Sequence, residues 1–229
     1  MEKLGTSYGG WFIPKSPLLN SDSIVYSVGV GEDISFDALL QTKYDCNIIL
    51  IDPTEKAIKH FDEFKLYVNN KDTFKFSGGI QNDYYTHLKN SNVNLKKINY
   101  LNIGLYNEKT TLNFYKQDNP NYVSQSFNKD MFGKTYDIVK TDTLKNIMTD
   151  NNHTEIDLLK MDIEGAEIQV LNHMIETKIF PKYLLVEFDL FLKKKDKTNE
   201  TAKIIKKLEY NNYKILKNDN YNITFERIN

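Results

Sequence analysis

Ile-Val-Tyr-Ser-Val-Gly-Val-Gly-Glu-Asp-Ile-Ser-Phe, running from Ile24 to Phe36, is the stretch that decides the fold. Its first five residues are apolar and β-branched enough to predict a short buried strand over Ile24 to Val28. Gly29 and Gly31 follow, where the backbone must turn tightly and leave space beside the turn. From Ser35 to Tyr44 the apolar spacing changes to that of a helix, with Phe36, Leu39 and Leu40 on one face. Strand, glycine turn and helix together form the opening of a nucleotide-type site.

The glycines do not complete a dinucleotide fingerprint. In Gly-x-Gly-x-x-Gly the third glycine falls at position 34, which here is Ile34. Glu32 and Asp33 also oppose a pyrophosphate, because carboxylates at a helix entrance repel the anion such a site holds. S-adenosylmethionine suits them better: it has no phosphate, and its sulfonium and α-ammonium groups are positive.

Moving outward, Asn47-Ile48-Ile49-Leu50-Ile51-Asp52-Pro53 predicts a second buried strand ending in a carboxylate, with Pro53 suited to the first turn of a helix. Asp52 lies 21 residues beyond Gly31, the spacing at which an acid at the end of the second strand binds ribose hydroxyls. A helix is expected from Thr54 to Phe64. Val68 and Phe74 to Phe76 suggest short strands, Gly78-Gly79 a turn, and Asp83 to Asn90 a helix. Ile98 to Leu105 reads as a third parallel strand. Thr111 to Tyr115 and Tyr136 to Lys140 read as strands around a polar loop, 116–134, whose Asn, Gln and Tyr residues suit a polyhydroxylated ligand or simply solvent. Thr143 to Asp150 predicts a short helix.

The second informative stretch is Ile156-Asp157-Leu158-Leu159-Lys160-Met161-Asp162-Ile163-Glu164-Gly165-Ala166-Glu167. A strand ends at Asp162, Gly165 turns the chain, and a helix follows. Carboxylates gathered at one strand end are costly unless something positive sits there, and open α/β sheets bind ligands at those carboxyl ends. Tyr183 to Asp189 predicts another buried strand ending in acid. A Lys-rich helix over 197–210 then precedes a closing hairpin at Tyr213 to Leu216 and Ile223 to Phe225. Near the N-terminus, Gly9-Gly10-Trp11 is either a rim over the ligand or a turn that packs an aromatic on the core.

At 229 residues with net charge −1 and no basic stripe, the chain is read as one domain without a nucleic-acid partner. Within it, 1–22 is a cap segment, 24–190 the cofactor-binding core, and 195–229 the C-terminal helix and hairpin. Lys-Lys-Lys at 193–195 reads as a solvated run. The single Cys46 excludes an internal disulfide. No apolar run approaches the roughly 20 residues of a membrane span, so a soluble, cytoplasmic protein is expected. The oligomeric state stays open, a homodimer included.

On the Gly-x-Gly-Glu-Asp stretch and the Lys160 to Glu167 signature, the chain resembles the FkbM family of S-adenosylmethionine-dependent methyltransferases, in particular the branch with Gly-Gly-Trp near its start. The resemblance covers residues 5 to 190. It implies an α/β fold: a Rossmann-like class I methyltransferase with a seven-stranded, mostly parallel sheet, one antiparallel strand and helices on both faces. It implies O-methylation, often of a sugar hydroxyl on a glycoconjugate, nucleotide-sugar precursor or natural product. It places Gly29 and Gly31 under the methionine and ribose parts of the cofactor, with Ser27 and Asp33 in the same set. Asp52 falls on the ribose, Ile103-Gly104 near the adenine, and Asp162 at the methionine end. Thr143-Leu144-Lys145 departs from the Thr-Leu-Asp of many members, so no role is carried over there.

Methyl transfer to a hydroxyl needs positioning and removal of a proton. His60, His153 and His173 fall in helices or at a strand's entrance, and His87 lies in a segment the sequence leaves open. The expected base is therefore Asp162 or Glu187. A variant has Asp162, Glu187 and Asp189 binding Mg²⁺. Three other readings stay open: N-methylation of a small or phosphorylated amine, a non-catalytic binding module, and an NAD-dependent oxidoreductase.

Overall fold

The computed structural model describes residues 1–71, 73–118, 124–192, 196 and 198–228, with backbone only at 191 and 192. Residues 119–123 of the expected polar loop and the lysine run at 193–195 lie outside the described residues.

The chain opens with an antiparallel pair, β1 (Glu2–Leu4) and β2 (Trp11–Ile13). β3 (Ile24–Val28) leads through the glycine turn into α1 (Ser35–Tyr44), followed by β4 (Asn47–Ile51) and α2 (Glu55–Asn69). Thr54 caps α2, its hydroxyl accepting the Ala57 N–H at 3.3 Å. α3 (Tyr84–Lys89) and β5 (Ile98–Leu101) come next. A separate sheet then holds β6 (Gly104–Leu105), β7 (Thr110–Lys116), β8 (Gln125–Ser126) and β9 (Tyr136–Asp142). α4 (Leu144–Asp150), β10 (Leu158–Met161), α5 (Glu167–Glu176), β11 (Tyr183–Glu187) and α6 (Asp189–Leu192) return to the main sheet. α7 (Glu200–Tyr210), β12 (Tyr213–Asp219) and β13 (Asn222–Arg227) complete the chain.

The main sheet has seven strands in the order β12-β13-β11-β10-β3-β4-β5, with β13 antiparallel to both neighbours. This is the expected sheet with one reversed strand. From β3 the chain winds outward through β4 to β5, then returns to β10 and winds the other way. The switch point lies between β3 and β10, where a crevice opens at the strands' carboxyl ends.

The inner strands are nearly continuous apolar runs because both of their faces are covered. Their alternation sorts side chains into two cores. Val25, Ile48, Leu50 and Leu185 pack with Phe36, Leu40 and Phe64 from α1 and α2. Tyr26, Ile49, Leu159 and Val186 pack with Ile147, Leu171 and Leu208 from α4, α5 and α7.

Two expectations are corrected. The run Ile98 to Leu105 is not one strand: the Ile103 N–H turns back to the Leu101 carbonyl at 3.0 Å, and Gly104-Leu105 pairs with β9 in the second sheet. The apolar alternation continues through this break, so the pattern hides it. Val68 and Phe74 to Phe76 form no strands. Val68 belongs to α2, whose buried face runs Ala57, Phe61, Phe64, Tyr67 past the expected end. Phe76 is instead a buried ring stacked on His60 at 4.9 Å. Among the described residues no helix is long and apolar enough to cross a membrane.

Candidate functional site

The glycine turn is held from three directions. Gly29 has φ +76°, and a Cβ built there would lie 1.7 Å from the Asp162 carbonyl oxygen. Only glycine fits, because the turn presses on the backbone where β10 ends. Gly31 also has positive φ, +56°, but a Cβ there would meet nothing within 4 Å. It faces open cavity.

Asp52, at the end of β4, fastens the turn from the second side. One carboxylate oxygen accepts the Val30 and Gly31 N–H groups at 2.9 and 3.0 Å. The other accepts the Thr54 N–H at 2.8 Å and its hydroxyl at 2.7 Å. Lys160 supplies the third fastening. Its buried ammonium donates to the Val28 carbonyl at 3.2 Å and to that of Gly29, and lies 5.5 Å from the centre of the Trp11 ring. A charge so buried is kept by carbonyl dipoles and an aromatic face.

On the other side of the crevice the parallel register Met161↔Val186 brings the next residues, Asp162 and Glu187, side by side. Asp162, Glu187 and Asp189 each offer a carboxylate oxygen within 4.8 Å of the others. Burial first, then the negative charges of Asp162 and Glu164, raise the Glu187 pKa, and nearby Lys160 only partly offsets them. Glu167 is fully buried behind this group; it accepts the Gly165 N–H at 2.9 Å and hydrogen-bonds Asp189, and burial raises its pKa. Glu164 is placed by an unusual positive φ of +55°, and its carbonyl accepts a hydrogen bond from the Ser126 hydroxyl of β8. The second sheet is thereby buttressed against the acidic strand end.

Both halves line one cavity of about 760 Å³. Gly29, Gly31, Asp33, Asp52, Gly104, Asp162, Glu187 and Asp189 all reach it. Ser27 and Ile103 do not. Strand alternation turns Ser27 inward toward the buried Asp37 of α1, and Ile103 packs on the core beneath. Asp33 lines the wall but also accepts the Thr6 hydroxyl at 2.5 Å and the Ser35 N–H at 2.9 Å, tying the N-terminal hairpin to the turn.

None of the four histidines lines the cavity. His60 is buried against the Tyr84 hydroxyl at 2.6 Å, and burial pushes its pKa down to about 4. His153 bonds the Tyr26 hydroxyl at 2.9 Å, His87 sits 3.5 Å from Asp83, and His173 belongs to α5.

Several contributors escape a sequence reading. Lys160 looks like any strand residue until its partners are known. Trp11 is buried and at the wall together, so the hairpin is both rim and core packing. Phe114 of β7 and Phe127, just after β8, reach the site beside Gly104, where a Cβ would strike the Phe127 ring at 2.6 Å. The turn from Asp219 to Asn222 arrives because β13 is reversed: Asn222 pairs with Glu187, which puts that turn over the acidic end. Its Asp-Asn-Tyr-Asn composition marks a hairpin, but nothing local says what the hairpin covers.

The Methyltransferase FkbM domain matches residues 19–215. The chain matches no curated protein by sequence. In overall structure it is similar to a chain of a fibrillarin/Nop5p complex, with 14% identity over 92% of this chain and 75% of that one at a TM-score of 0.45. It is also similar to an rRNA methylase from Streptococcus thermophilus, with 9% identity over 93% of this chain and 90% of that one at a TM-score of 0.43.

Proposed function

This chain belongs to the FkbM methyltransferase family, and from that premise we propose that it moves a methyl group from S-adenosylmethionine to a sugar hydroxyl. The observation that carries the reading is the apposition of the glycine turn and the acidic strand end around one cavity, with Gly29 seated on the backbone of Asp162.

When bound, S-adenosylmethionine supplies an electrophilic methyl group on a sulfonium. The open face of Gly31 lets a ligand approach the backbone. Asp162, on the cavity wall, holds the α-ammonium. Asp52 takes the ribose hydroxyls by sharing oxygens that already accept two hydrogen bonds each from the turn and Thr54. Glu187 takes the proton of the acceptor hydroxyl, and its raised pKa supports this role, since a carboxylate titrating nearer neutrality is a stronger base. Gln117, Ser124 and Gln125 give the second-sheet side of the cavity a polar lining suited to a polyhydroxylated acceptor.

The oxygen-only set of Asp162, Glu187 and Asp189 fits a hard divalent cation such as Mg²⁺. Such an ion would lower the pKa of a hydroxyl held on it. Loss of turnover in a chelator, restored by Mg²⁺, supports the metal; unchanged turnover sinks it.

Calorimetric titration with S-adenosylhomocysteine tests the cofactor assignment, and absence of binding defeats it. Mass spectrometry of candidate acceptors tests the reaction. A gain of one methyl on oxygen is expected, and a gain confined to nitrogen would replace O- by N-methylation.

A further inference from the structure

Resting on the methyl-transfer reading, we propose that Tyr8 is a cofactor-binding residue whose ring faces the sulfonium of S-adenosylmethionine and recognises its charge.

The first observation is that the hairpin tip carrying Tyr8 is seated on the glycine turn. The Ser7 N–H donates to the Asp83 carboxylate at 2.8 Å, and the Ser7 carbonyl accepts the Lys3 ammonium at 2.8 Å. The Gly9 N–H donates to the Thr6 hydroxyl at 2.8 Å, and that hydroxyl donates to Asp33 at 2.5 Å. A Cβ at Gly9 would lie 2.6 Å from an Asp33 carboxylate oxygen, so the backbone here rests against the residue two beyond Gly31. Tyr8 is thus held between anchored neighbours before any ligand arrives.

The second observation is that folding makes little use of the ring. Tyr8 lines the cavity yet is 69% exposed, and it belongs to neither hydrophobic core. Trp11 supplies the packing of the same hairpin, being buried. One exposed aromatic is ordinary by itself. Set on a cavity wall by an anchored tip, it is a surface that a ligand covers.

The third observation is its position along the crevice. On the methyl-transfer reading the cofactor runs from ribose at Gly31 and Asp52 to the α-ammonium at Asp162, with the sulfonium between them. The Tyr8 phenol stands in the same interval. Partial burial first, then the charges of Asp162, Glu164 and Glu187 from one half and Asp33 from the other, raise its pKa. An aromatic face attracts a cation through its negative potential. S-adenosylhomocysteine is a neutral thioether at that atom, so the contact favours the methyl donor over its product.

The test is calorimetric titration of the full chain, in EDTA, with S-adenosylmethionine and with S-adenosylhomocysteine. Failure of the wild type to bind S-adenosylhomocysteine defeats methyl transfer itself; Tyr8 is tested by the ratio of the two affinities. In Tyr8→Leu the affinity for S-adenosylmethionine should fall about threefold to tenfold and that for S-adenosylhomocysteine less than about twofold, while Tyr8→Phe keeps the wild-type ratio. An unchanged ratio in Tyr8→Leu overturns the proposal. So does a loss in Tyr8→Phe as large as in Tyr8→Leu, which would assign the contact to the hydroxyl. Thermal melts of the ligand-free variants should coincide with wild type. A lower melting temperature in Tyr8→Leu would make the ring a packing element of the hairpin and overturn the assignment.

Discussion

The two halves of the cavity contain the same chemical group in opposite circumstances. On the β3–β4 side, Asp52 accepts four hydrogen bonds from the turn and its neighbour, and Asp33 accepts two. On the β10–β11 side, Asp162, Glu187 and Asp189 crowd within 4.8 Å, and Glu187 is held above the ordinary carboxylate range. The first half is satisfied and stiff; the second carries mutual repulsion that a cation relieves. One wall is thus held by its own hydrogen bonds, and the other is a cluster of like charges.

The comparison can be broken most severely at the stiff wall. Gly29→Ala drives a Cβ into the Asp162 carbonyl, so S-adenosylhomocysteine binding should disappear in calorimetry and stability should fall by more than about 3 kcal/mol in urea melts. Gly31→Ala has only its positive φ to contend with and should cost about 1–2 kcal/mol. Equal losses in the two variants would mean that the press of the turn on β10 does not matter.

Glu187→Gln probes the charged wall. Turnover should fall about 10²- to 10⁴-fold while S-adenosylhomocysteine still binds, as read by initial rates beside calorimetry. Full turnover in both this variant and Asp162→Asn would remove the base from the mechanism.

Asp52→Asn replaces an accepting oxygen by a donor opposite N–H groups and should cost about 1–3 kcal/mol, with weaker cofactor binding. A neutral result would show that the turn holds without its carboxylate.

The smallest effect concerns pH. The raised pKa of Glu187 means that the native state keeps its proton where the unfolded chain has lost it. That contribution is complete below the unfolded carboxylate pKa and is lost as pH rises through the native value. Wild type and Glu187→Gln should therefore melt alike near pH 5, with the variant gaining relative to wild type as pH rises. Taking the difference cancels His60, whose lowered pKa gives a slope of the opposite sign. A flat difference would deny the repulsion.

Legibility in the sequence follows from range. The buried strands Ile24–Val28, Asn47–Ile51 and Tyr183–Glu187 were readable because each announces itself within a few residues. So were the strand-ending acids Asp52, Asp162 and Glu187. The break after Leu101 was not, since alternation runs through it, and neither was the helical Val68, whose β-branched side chain suggests a strand. Lys160 was visible only as a lysine in a motif.

By itself, the sequence determined the elements, the turn and the order in which acids end the strands, because hydrophobic period and glycine freedom act locally along the chain. Only the tertiary structure decided that Gly29 rests on Asp162, that Lys160 and Asp52 fasten the turn, and that the reversed β13 sets Asn222 beside Glu187. Each of these is a contact between residues far apart in sequence. Close packing at the switch point creates them, and no local pattern encodes the distance across a sheet.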